Sequence, residues 1–395
     1  MMKTLISNIK VFAEDRTIDE GYVLIDGSSI IEVGEMTELS ISDPVDEIQA
    51  TPSMNLIPGM IDLHIHGADG ADAMDGTPEA IKTIAEALPK EGTTSFLPTT
   101  MTTSKESIEN ALANLSHYMK EEQSHRAEAI GIHLEGPFIS PKRAGAQHPD
   151  HIIEPSISLF KEWQDLSGGN VKLVTVAPEE EGGLEFVSYL KEHGVVASIG
   201  HSDAVYSEVK EAINAGVTHA THLFNGMRGL HHREMGVAGG VLMHPEVKCE
   251  MVVDGIHISP EVVKFAYMNK SSEGVILITD SMRAKCLGKG TYDLGGQEVS
   301  VDGERATLEN GTLAGSILKM KDAVKNMMTF TQCGLKDIIQ MTSVNPAKQL
   351  SVFDRKGSIK AGKDADLVLL DEKHNVIKTF CRGKLTYSRE KEKTS

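Results

Sequence analysis

Two histidines separated by a single residue end a short apolar segment near the N-terminus. Residues 56–63 are mostly apolar and lead directly into His64-Ile65-His66. Side chains of an extended strand alternate between its faces, so both imidazoles would project to the same side and could bind one metal ion. A lone His-X-His motif more often belongs to an ordinary surface strand. The metal interpretation therefore depends on ligand-type residues in equivalent places elsewhere.

Other predicted strands also end in imidazole or carboxylate groups. The five strand ends concerned carry His64 and His66, Glu135, His201, His222, and Asp280. Such a set does not arise easily by chance, so we expect the four histidines and Glu135 to be metal ligands. Glu135 could bridge two ions, which leaves Asp280 free to take a proton from water and pass it on. These nitrogen and oxygen ligands suit divalent zinc, iron, manganese or cobalt and do not distinguish among them.

Four further histidines are predicted to be structural. His219 lies three residues before His222, so the two do not share a strand face. The other three are His117, His125 and His133, for which the sequence indicates no chemical role.

The elements that position these groups alternate in type along the chain. Eight β-rich segments are predicted at residues 60–64, 93–97, 129–134, 171–176, 195–199, 219–223, 249–253 and 275–279. Amphipathic helical segments separate most of them, which is the pattern of an α/β protein with a (β/α)8 TIM-like barrel. Catalytic groups of such a barrel come from the carboxyl ends of its strands. The ligand-type residues stand at those ends.

Both chain ends have a different, β-rich texture. Short strands joined by turns such as Asp26-Gly27 occupy the N-terminal part, and similar segments return after residue 345. We predict a small β-sandwich domain from residues 1–54 and 345–395, and a metal-dependent barrel from residues 55–344. A glycine-rich, β-like insertion is expected at about residues 287–312, after the eighth strand.

Composition limits the partners and the compartment. The formal net charge of −18 argues against nucleic acid or an anionic membrane as a partner. The sequence has neither an apolar run long enough to span a bilayer nor the pattern of a signal peptide. Its four cysteines are far apart without a Cys-X-X-Cys pair, which fits reduced thiols. We therefore expect a cytoplasmic protein.

A loop rich in hydrogen-bond donors follows the sixth strand. It contains Arg233, which could bind a phosphate or carboxylate through two hydrogen bonds. From the sequence alone, a solvated loop cation is an equally good interpretation of Arg233. The segments Lys142-Arg143 and Asp254-Gly255-Ile256-His257 could complete a pocket around it.

Several motifs together resemble one family. They are Pro58-Gly59-Met60-Ile61-Asp62-Leu63-His64-Ile65-His66-Gly67, His133-Leu134-Glu135-Gly136-Pro137-Phe138, Gly200-His201-Ser202-Asp203, His222-Leu223-Phe224-Asn225-Gly226-Met227, Gly311-Thr312-Leu313-Ala314-Gly315-Ser316 and Gly362-Lys363-Asp364-Ala365-Asp366-Leu367. With them the chain resembles the amidohydrolase superfamily over nearly its whole length, and most closely the branch that deacetylates N-acetylglucosamine 6-phosphate.

The resemblance implies a reaction and a set of roles. The reaction is release of acetate from N-acetylglucosamine 6-phosphate by metal-activated water, in amino-sugar metabolism, with Asp280 as general acid and base. Retention of both His64 and His66 resembles the two-metal subtype, so two ions per subunit are expected. The implied pocket for the phosphosugar consists of Ala146, Gln147, Asn225, Gly226, Arg233, His257, Leu313, Ala314 and Gly315. A homodimer is also expected, because the residues at positions 233 and 257 sometimes meet the phosphate across a dimer interface in this family.

Two other functions stay open at this stage. Another amide hydrolase of the same fold would keep the metal ligands without needing Arg233 and His257. A catalytically silent barrel should have lost ligands, whereas this chain retains all of them.

Overall fold

The computed structural model describes residues 2–41, 44–121 and 123–392. Residues 1, 42–43 and 393–395 of the predicted terminal domain and residue 122 of the barrel lie outside the described residues. Strands in the N-terminal part are β1 (Lys3–Phe12), β2 (Thr17–Asp26), β3 (Ser29–Glu35), β4 (Val45–Gln49) and β5 (Asn55–Pro58).

Eleven strands and short β segments follow up to residue 278. They are β6 (Met60–Ile65), β7 (Gly67–Ala68), β8 (Ala71–Asp72), β9 (Thr93–Pro98), β10 (Glu128–Ala129), β11 (Ile132–Glu135), β12 (Val171–Val176), β13 (Val196–Ile199), β14 (His219–Ala220), β15 (Lys248–Val252) and β16 (Val275–Ile278). The later strands are β17 (Gly290–Leu294), β18 (Gln297–Val301), β19 (Ala306–Thr307), β20 (Leu367–Leu370), β21 (Val376–Cys381) and β22 (Lys384–Ser388).

The central strands close into the predicted barrel. Parallel pairing runs β10-β9-β6 and β11-β12-β13-β14-β15-β16. Thr99 bridges to His133 between the two sheets, and Ile65 bridges to Ser281 on the other side, where Asp280 N also donates to His64 O at 2.8 Å. All residues of β6, β9, β11 and β16 are buried, as expected for parallel strands covered on both faces.

The helices pack outside this barrel or join its elements. They are α1 (Pro78–Ala87), α2 (Lys105–Tyr118), α3 (Ile157–Leu166), α4 (Gly183–Glu192), α5 (Tyr206–Ala215), α6 (Gly236–Met243), α7 (Pro260–Gly274), α8 (Met320–Thr331), α9 (Leu335–Ile339), α10 (Asn345–Gln349) and α11 (Arg389–Glu392). A π-helical turn, Gln340–Val344, joins α9 to α10. One apolar cluster contains side chains from the barrel strands and from the helices around them.

Hydroxyl side chains begin three of these helices. Thr77, Ser104 and Ser156 stand at the N-caps of α1, α2 and α3, where their side-chain oxygens accept backbone N–H groups at 3.3, 3.2 and 3.3 Å. Each bond satisfies a donor that has no partner within the first helical turn. The caps therefore fix the residues at which α1, α2 and α3 begin.

The two chain ends build one eight-stranded sheet. Its order is β22-β21-β20-β5-β1-β2-β3, and β4 pairs with β1. A common apolar core includes Ile30 of β3 and Ile377 and Phe380 of β21, which lie near opposite ends of that order, so the sheet curls over on itself. β5 starts at residue 55, where the barrel was expected to begin, but it pairs with β1 and β20 of the terminal sheet. The first barrel strand begins at Met60.

The predicted insertion forms a three-stranded antiparallel sheet, β17-β18-β19. Gln297 of β18 donates through Nε2 to the carbonyl oxygen of Ala146 at 2.6 Å. This bond ties the insertion to the loop that follows β11. The insertion therefore lies over the carboxyl ends of the barrel strands.

Two details differ from the sequence prediction. β14 ends at Ala220 instead of residue 223, because His222 and Phe224 adopt left-handed backbone conformations with φ of 31° and 76°. The segment predicted as one strand at residues 129–134 forms two, β10 paired with β9 and β11 paired with β12. In the part of the chain that the structure describes, no helix combines the length and the apolar character needed to cross a bilayer.

Candidate metal centre and active site

Four imidazoles and two carboxylates meet at the carboxyl ends of the barrel strands. The Nε2 atoms of His64 and His66 are 3.4 Å apart, and those of His201 and His222 are 3.1 Å apart. Glu135 lies between the two pairs. The side chains separate into two groups with metal-ligand spacing, one of His64, His66 and Asp280 and one of Glu135, His201 and His222.

The outer nitrogen of each imidazole has a hydrogen-bond acceptor. Nδ1 of His66, His201 and His222 faces the carbonyl oxygens of Thr99, Arg143 and Asn225 at 3.2, 2.8 and 3.0 Å. Nδ1 of His64 faces a carboxylate oxygen of Glu250 at 3.1 Å. In the neutral rings, these contacts favour the tautomer with its proton on Nδ1, in which the Nε2 lone pairs point toward one another. Lone pairs that face each other repel unless a cation lies between them. The arrangement of these residues therefore fits divalent cations.

Glu135 is the shared carboxylate of the centre. Its Oε1 lies 3.4, 3.3 and 3.1 Å from Nε2 of His64, His201 and His222. Its Oε2 lies 3.2 Å from Nε2 of His66 and accepts a hydrogen bond from Gln147 Nε2 at 2.9 Å. One oxygen thus reaches both histidine pairs, which suits a group that bridges two ions.

Asp280 occupies the floor of the site directly after β16. Its Oδ1 lies 3.4 Å from Nε2 of both His64 and His66. The sequence predicted that Asp280 carries a proton without binding metal. Its carboxylate is, however, as close to His64 and His66 as Glu135 Oε1 is to His64. Asp280 can therefore act as a ligand as well as a base.

Electrostatics around the centre favour positive charge. Burial would lower the pKa of His66, but hydrogen bonds with Asp280 and Glu135 raise it to about 9. The pKa of His64 is also held well above its ordinary value by Glu135 and Asp280, against the effect of burial. In return, despite burial, His64 holds the pKa of Glu135 well below its usual range and lowers that of Asp280. The negative potential of the carboxylates is what a bound cation would balance.

Three buried residues beneath the centre were not predicted to take part. Glu250 of β15 contacts His64 Nδ1 through Oε2 and His219 Nε2 through Oε1, at 3.1 and 3.0 Å. His133 packs edge-on against the His64 ring at a centroid distance of 4.6 Å. A charged residue between the apolar residues Cys249 and Met251, as Glu250 is, was the available sequence signal.

A cavity opens above the metal centre. Its wall includes seven of the residues expected to bind substrate, which are Ala146, Gln147, Asn225, Gly226, His257, Leu313 and Gly315. His257 is held by a hydrogen bond between Nδ1 and Asp254 Oδ2 at 2.6 Å. Leu294 of β17 and Met101 complete an apolar side of the wall.

Two expected substrate residues lie elsewhere. Ala314 is buried in the apolar cluster beneath the insertion sheet. Arg233 is exposed on the loop before α6, where its Nη1 lies 2.6 Å from His232 Nε2. Arg143 does not face the cavity as a free cation, because its guanidinium pairs with Asp203 at 2.7 Å.

The chain matches a known family over most of its length. The model of the amidohydrolase family matches residues 55–386.

Individual relatives are similar over nearly the whole chain. An N-acetylglucosamine-6-phosphate deacetylase of Bacillus subtilis (strain 168) is 48% identical over 385 residues, 97% of each chain. An N-acetylgalactosamine-6-phosphate deacetylase of Escherichia coli O157:H7 is 35% identical over 84% of this chain and 87% of its own. The crystal structure of an N-acetyl-D-glucosamine-6-phosphate deacetylase mutant of Mycobacterium smegmatis, in complex with N-acetyl-D-glucosamine-6-phosphate, superimposes with a TM-score of 0.91 at 28% identity, covering 98% of this chain and all of that one.

Proposed function

The chain belongs to the amidohydrolase family, and on that premise we propose that it hydrolyses N-acetyl-D-glucosamine 6-phosphate to D-glucosamine 6-phosphate and acetate. The observation that carries the proposal is the meeting of Glu135, Asp280 and four histidine Nε2 atoms at the floor of one cavity. The relative with 48% identity over 97% of both chains supports the choice of substrate.

Two divalent ions per subunit fit this centre. His64, His66 and Asp280 would hold one ion and His201 and His222 the other, with Glu135 between them. A divalent ion supplies Lewis acidity, which lowers the pKa of water and polarises the acetamide carbonyl. The protein contributes four imidazoles whose orientation is already fixed by their Nδ1 partners, so little reorganisation is needed on binding.

Asp280 moves the proton. Burial would raise its pKa, but His64 and His66 lower it, so the group is a carboxylate at neutral pH and can accept a proton. We assign it removal of the proton from the attacking water and delivery of that proton to the leaving amine. Its place on the cavity floor beside the histidines supports both steps.

The cavity wall holds the sugar phosphate. Asn225, Gly226, His257, Leu313 and Gly315 line the cavity together with Asp280. Among the residues that the structure describes, the cavity lining includes neither lysine nor arginine, although the proposed substrate carries a phosphate. A cation from outside the single chain would complete the site.

We propose that a second copy of this chain supplies it, in a homodimer. Arg233 is on an exposed loop, and exposed apolar side chains lie nearby in sequence on that loop, on α6 and on α7: Leu230, Met243, Phe265 and Met268. Burial of such side chains supports association.

Four free cysteines, three of them buried, support a reducing compartment, and we propose a cytoplasmic role in amino-sugar metabolism.

Acetate release tests the proposal. The protein is supplied with N-acetylglucosamine 6-phosphate, its galactosamine epimer and unphosphorylated N-acetylglucosamine, before and after removal of metal with a chelator. We expect the highest kcat/KM on the phosphorylated glucosamine compound, loss of activity on chelation, and recovery when a divalent ion is restored. Equal rates with and without phosphate would favour another amide hydrolase of this fold, and absence of release from all three would contradict the proposal.

A further inference from the structure

A carboxylate lies beneath the metal centre without facing the cavity. Glu250, in the middle of β15, is fully buried. Its Oε2 accepts hydrogen bonds from His64 Nδ1 at 3.1 Å and from the backbone N–H of His222 at 3.2 Å. Its Oε1 lies 3.0 Å from His219 Nε2. One side chain thus contacts a ligand from each of the two metal groups.

We propose that Glu250 is a positioning residue of the metal centre. It keeps the His64 proton on Nδ1, so that Nε2 faces the metal position, and it holds the backbone at His222 in register with His64. The inference rests on the proposed two-ion centre and adds the residue that joins its halves. Because the contact to His64 is through the side chain and that to His222 only through the backbone, the ion of the His64 group depends more strongly on Glu250.

His64 differs from the other three histidines in its outer partner. Their Nδ1 atoms face backbone carbonyls, whereas that of His64 faces a carboxylate. A carboxylate behind an imidazole makes the ring a more basic ligand and fixes its tautomer. Burying a carboxylate is unfavourable unless it is paired, and Glu250 has three hydrogen-bond partners there. The negative charge of Glu250 and its accepting oxygen Oε2 therefore both act on His64.

Three substitutions separate the acceptor role from packing. Glu250→Leu removes both oxygens at similar volume. Glu250→Gln keeps one oxygen for His64 and His222 and turns its amide toward His219, whose ring can present a lone pair instead. His219→Phe removes the other partner while leaving the bond from His64 in place.

Zinc titration of chelator-treated protein by calorimetry, with elemental analysis, is the measurement. For Glu250→Leu we expect one of two binding events to weaken by about 10- to 100-fold while the other stays close to wild type. His219→Phe should bind both ions nearly as the wild type does, and Glu250→Gln, which keeps the acceptor oxygen but loses the charge, should weaken the same event less than Glu250→Leu does. If the leucine variant loses its far-UV circular dichroism, Glu250→Asp replaces it, because the shorter side chain withdraws from His64 and should weaken the same event.

Other results overturn the inference. If zinc still binds tightly in two events to Glu250→Leu, or to Glu250→Asp when that variant is used, then His64 needs no carboxylate. Equal weakening in His219→Phe would assign the effect to packing. If the wild-type protein binds no ion, the proposed metal centre is contradicted as well. If the wild type is active with two ions and Glu250→Leu binds metal equally well, only the role of Glu250 is contradicted.

Discussion

The side-chain amide of Gln147 donates to Glu135 Oε2 at 2.9 Å, and its own oxygen accepts from the backbone N–H of Thr102 at 2.7 Å. The second bond fixes which way the amide points, so the NH2 group faces the shared carboxylate. Gln147 therefore orients Glu135 as well as lining the cavity.

Replacing this amide should weaken the metal centre. In Gln147→Leu, Oε2 of Glu135 loses its donor, and we expect metal affinity to fall by about 10- to 100-fold, measured by competition with a chromogenic chelator. Gln349→Leu is the control, because that amide bonds Thr218, away from the centre. Wild-type affinity in Gln147→Leu would show that Glu135 keeps its place without the amide.

Arg233 is expected to bind the phosphate of the substrate. Loss of a hydrogen bond to a charged group costs about 1.5–3 kcal/mol, so Arg233→Ala should raise KM on the phosphorylated substrate by roughly 10- to 100-fold. KM for unphosphorylated N-acetylglucosamine should change little. Arg305→Ala, an exposed arginine of the insertion, serves as the control. Equal losses on both sugars in Arg233→Ala would refute phosphate binding.

A buried lysine joins the terminal sheet to the barrel. Lys356 Nζ lies 2.5, 2.7 and 3.0 Å from carboxylate oxygens of Asp366, Glu128 and Asp364. Lys356→Ala leaves these carboxylates without their buried partner, and the free energy of unfolding should fall by about 3–5 kcal/mol in urea titrations. Lys360→Ala removes an exposed lysine paired with Glu14 and should leave the urea midpoint unchanged. Similar midpoints for the two variants would contradict the importance of burial.

The same cluster predicts a pH dependence of stability. Burial would raise the pKa of Glu128, but Lys356 and Arg355 lower it from 4.5 to about 2. A carboxyl group whose pKa is depressed by folding stabilises the protein above its unfolded pKa, and this contribution disappears as the pH falls through the folded pKa. The unfolding free energy should therefore decline between pH 4.5 and 2 more steeply in wild type than in Glu128→Gln. Glu309→Gln, on the exposed surface, should keep the wild-type slope, and an unchanged slope in Glu128→Gln would refute the assignment.

Sequence reasoning succeeded where a residue's position along a strand determines its place in space. The convergence of His64, His66, His201 and His222 could be predicted because barrel strands bring their carboxyl ends together. Glu250 was missed because it lies inside its strand, and its contacts are with His219 on the adjacent strand β14 and with His64 on β6, which periodicity along β15 does not indicate. The helix α6 carries only a weak sequence signal. Its sequence, Gly-Val-Ala-Gly-Gly-Val-Leu-Met, is almost wholly buried and lacks the polar face that marks an amphipathic helix.

The role of Arg233 shows a different limit. Its residue type suggested phosphate binding, yet a single chain leaves it exposed and outside the cavity wall. If a second copy of the chain completes the site, the position of Arg233 depends on which surfaces of the two copies are in contact. The pattern of residues along one chain does not predict those contacts directly.

Turnover by Asp280→Asn tests the central claim most directly. The amide cannot accept the proton of the attacking water, so kcat on N-acetylglucosamine 6-phosphate should fall by about 100- to 10,000-fold, measured as acetate release. Because Asp280 is also a proposed ligand of one ion, turnover is measured with divalent metal in excess, and elemental analysis and the melting temperature of the same preparation should show that metal is bound and the fold is intact. Near-normal turnover in this variant, with metal bound, would contradict the assignment of Asp280 as the proton carrier.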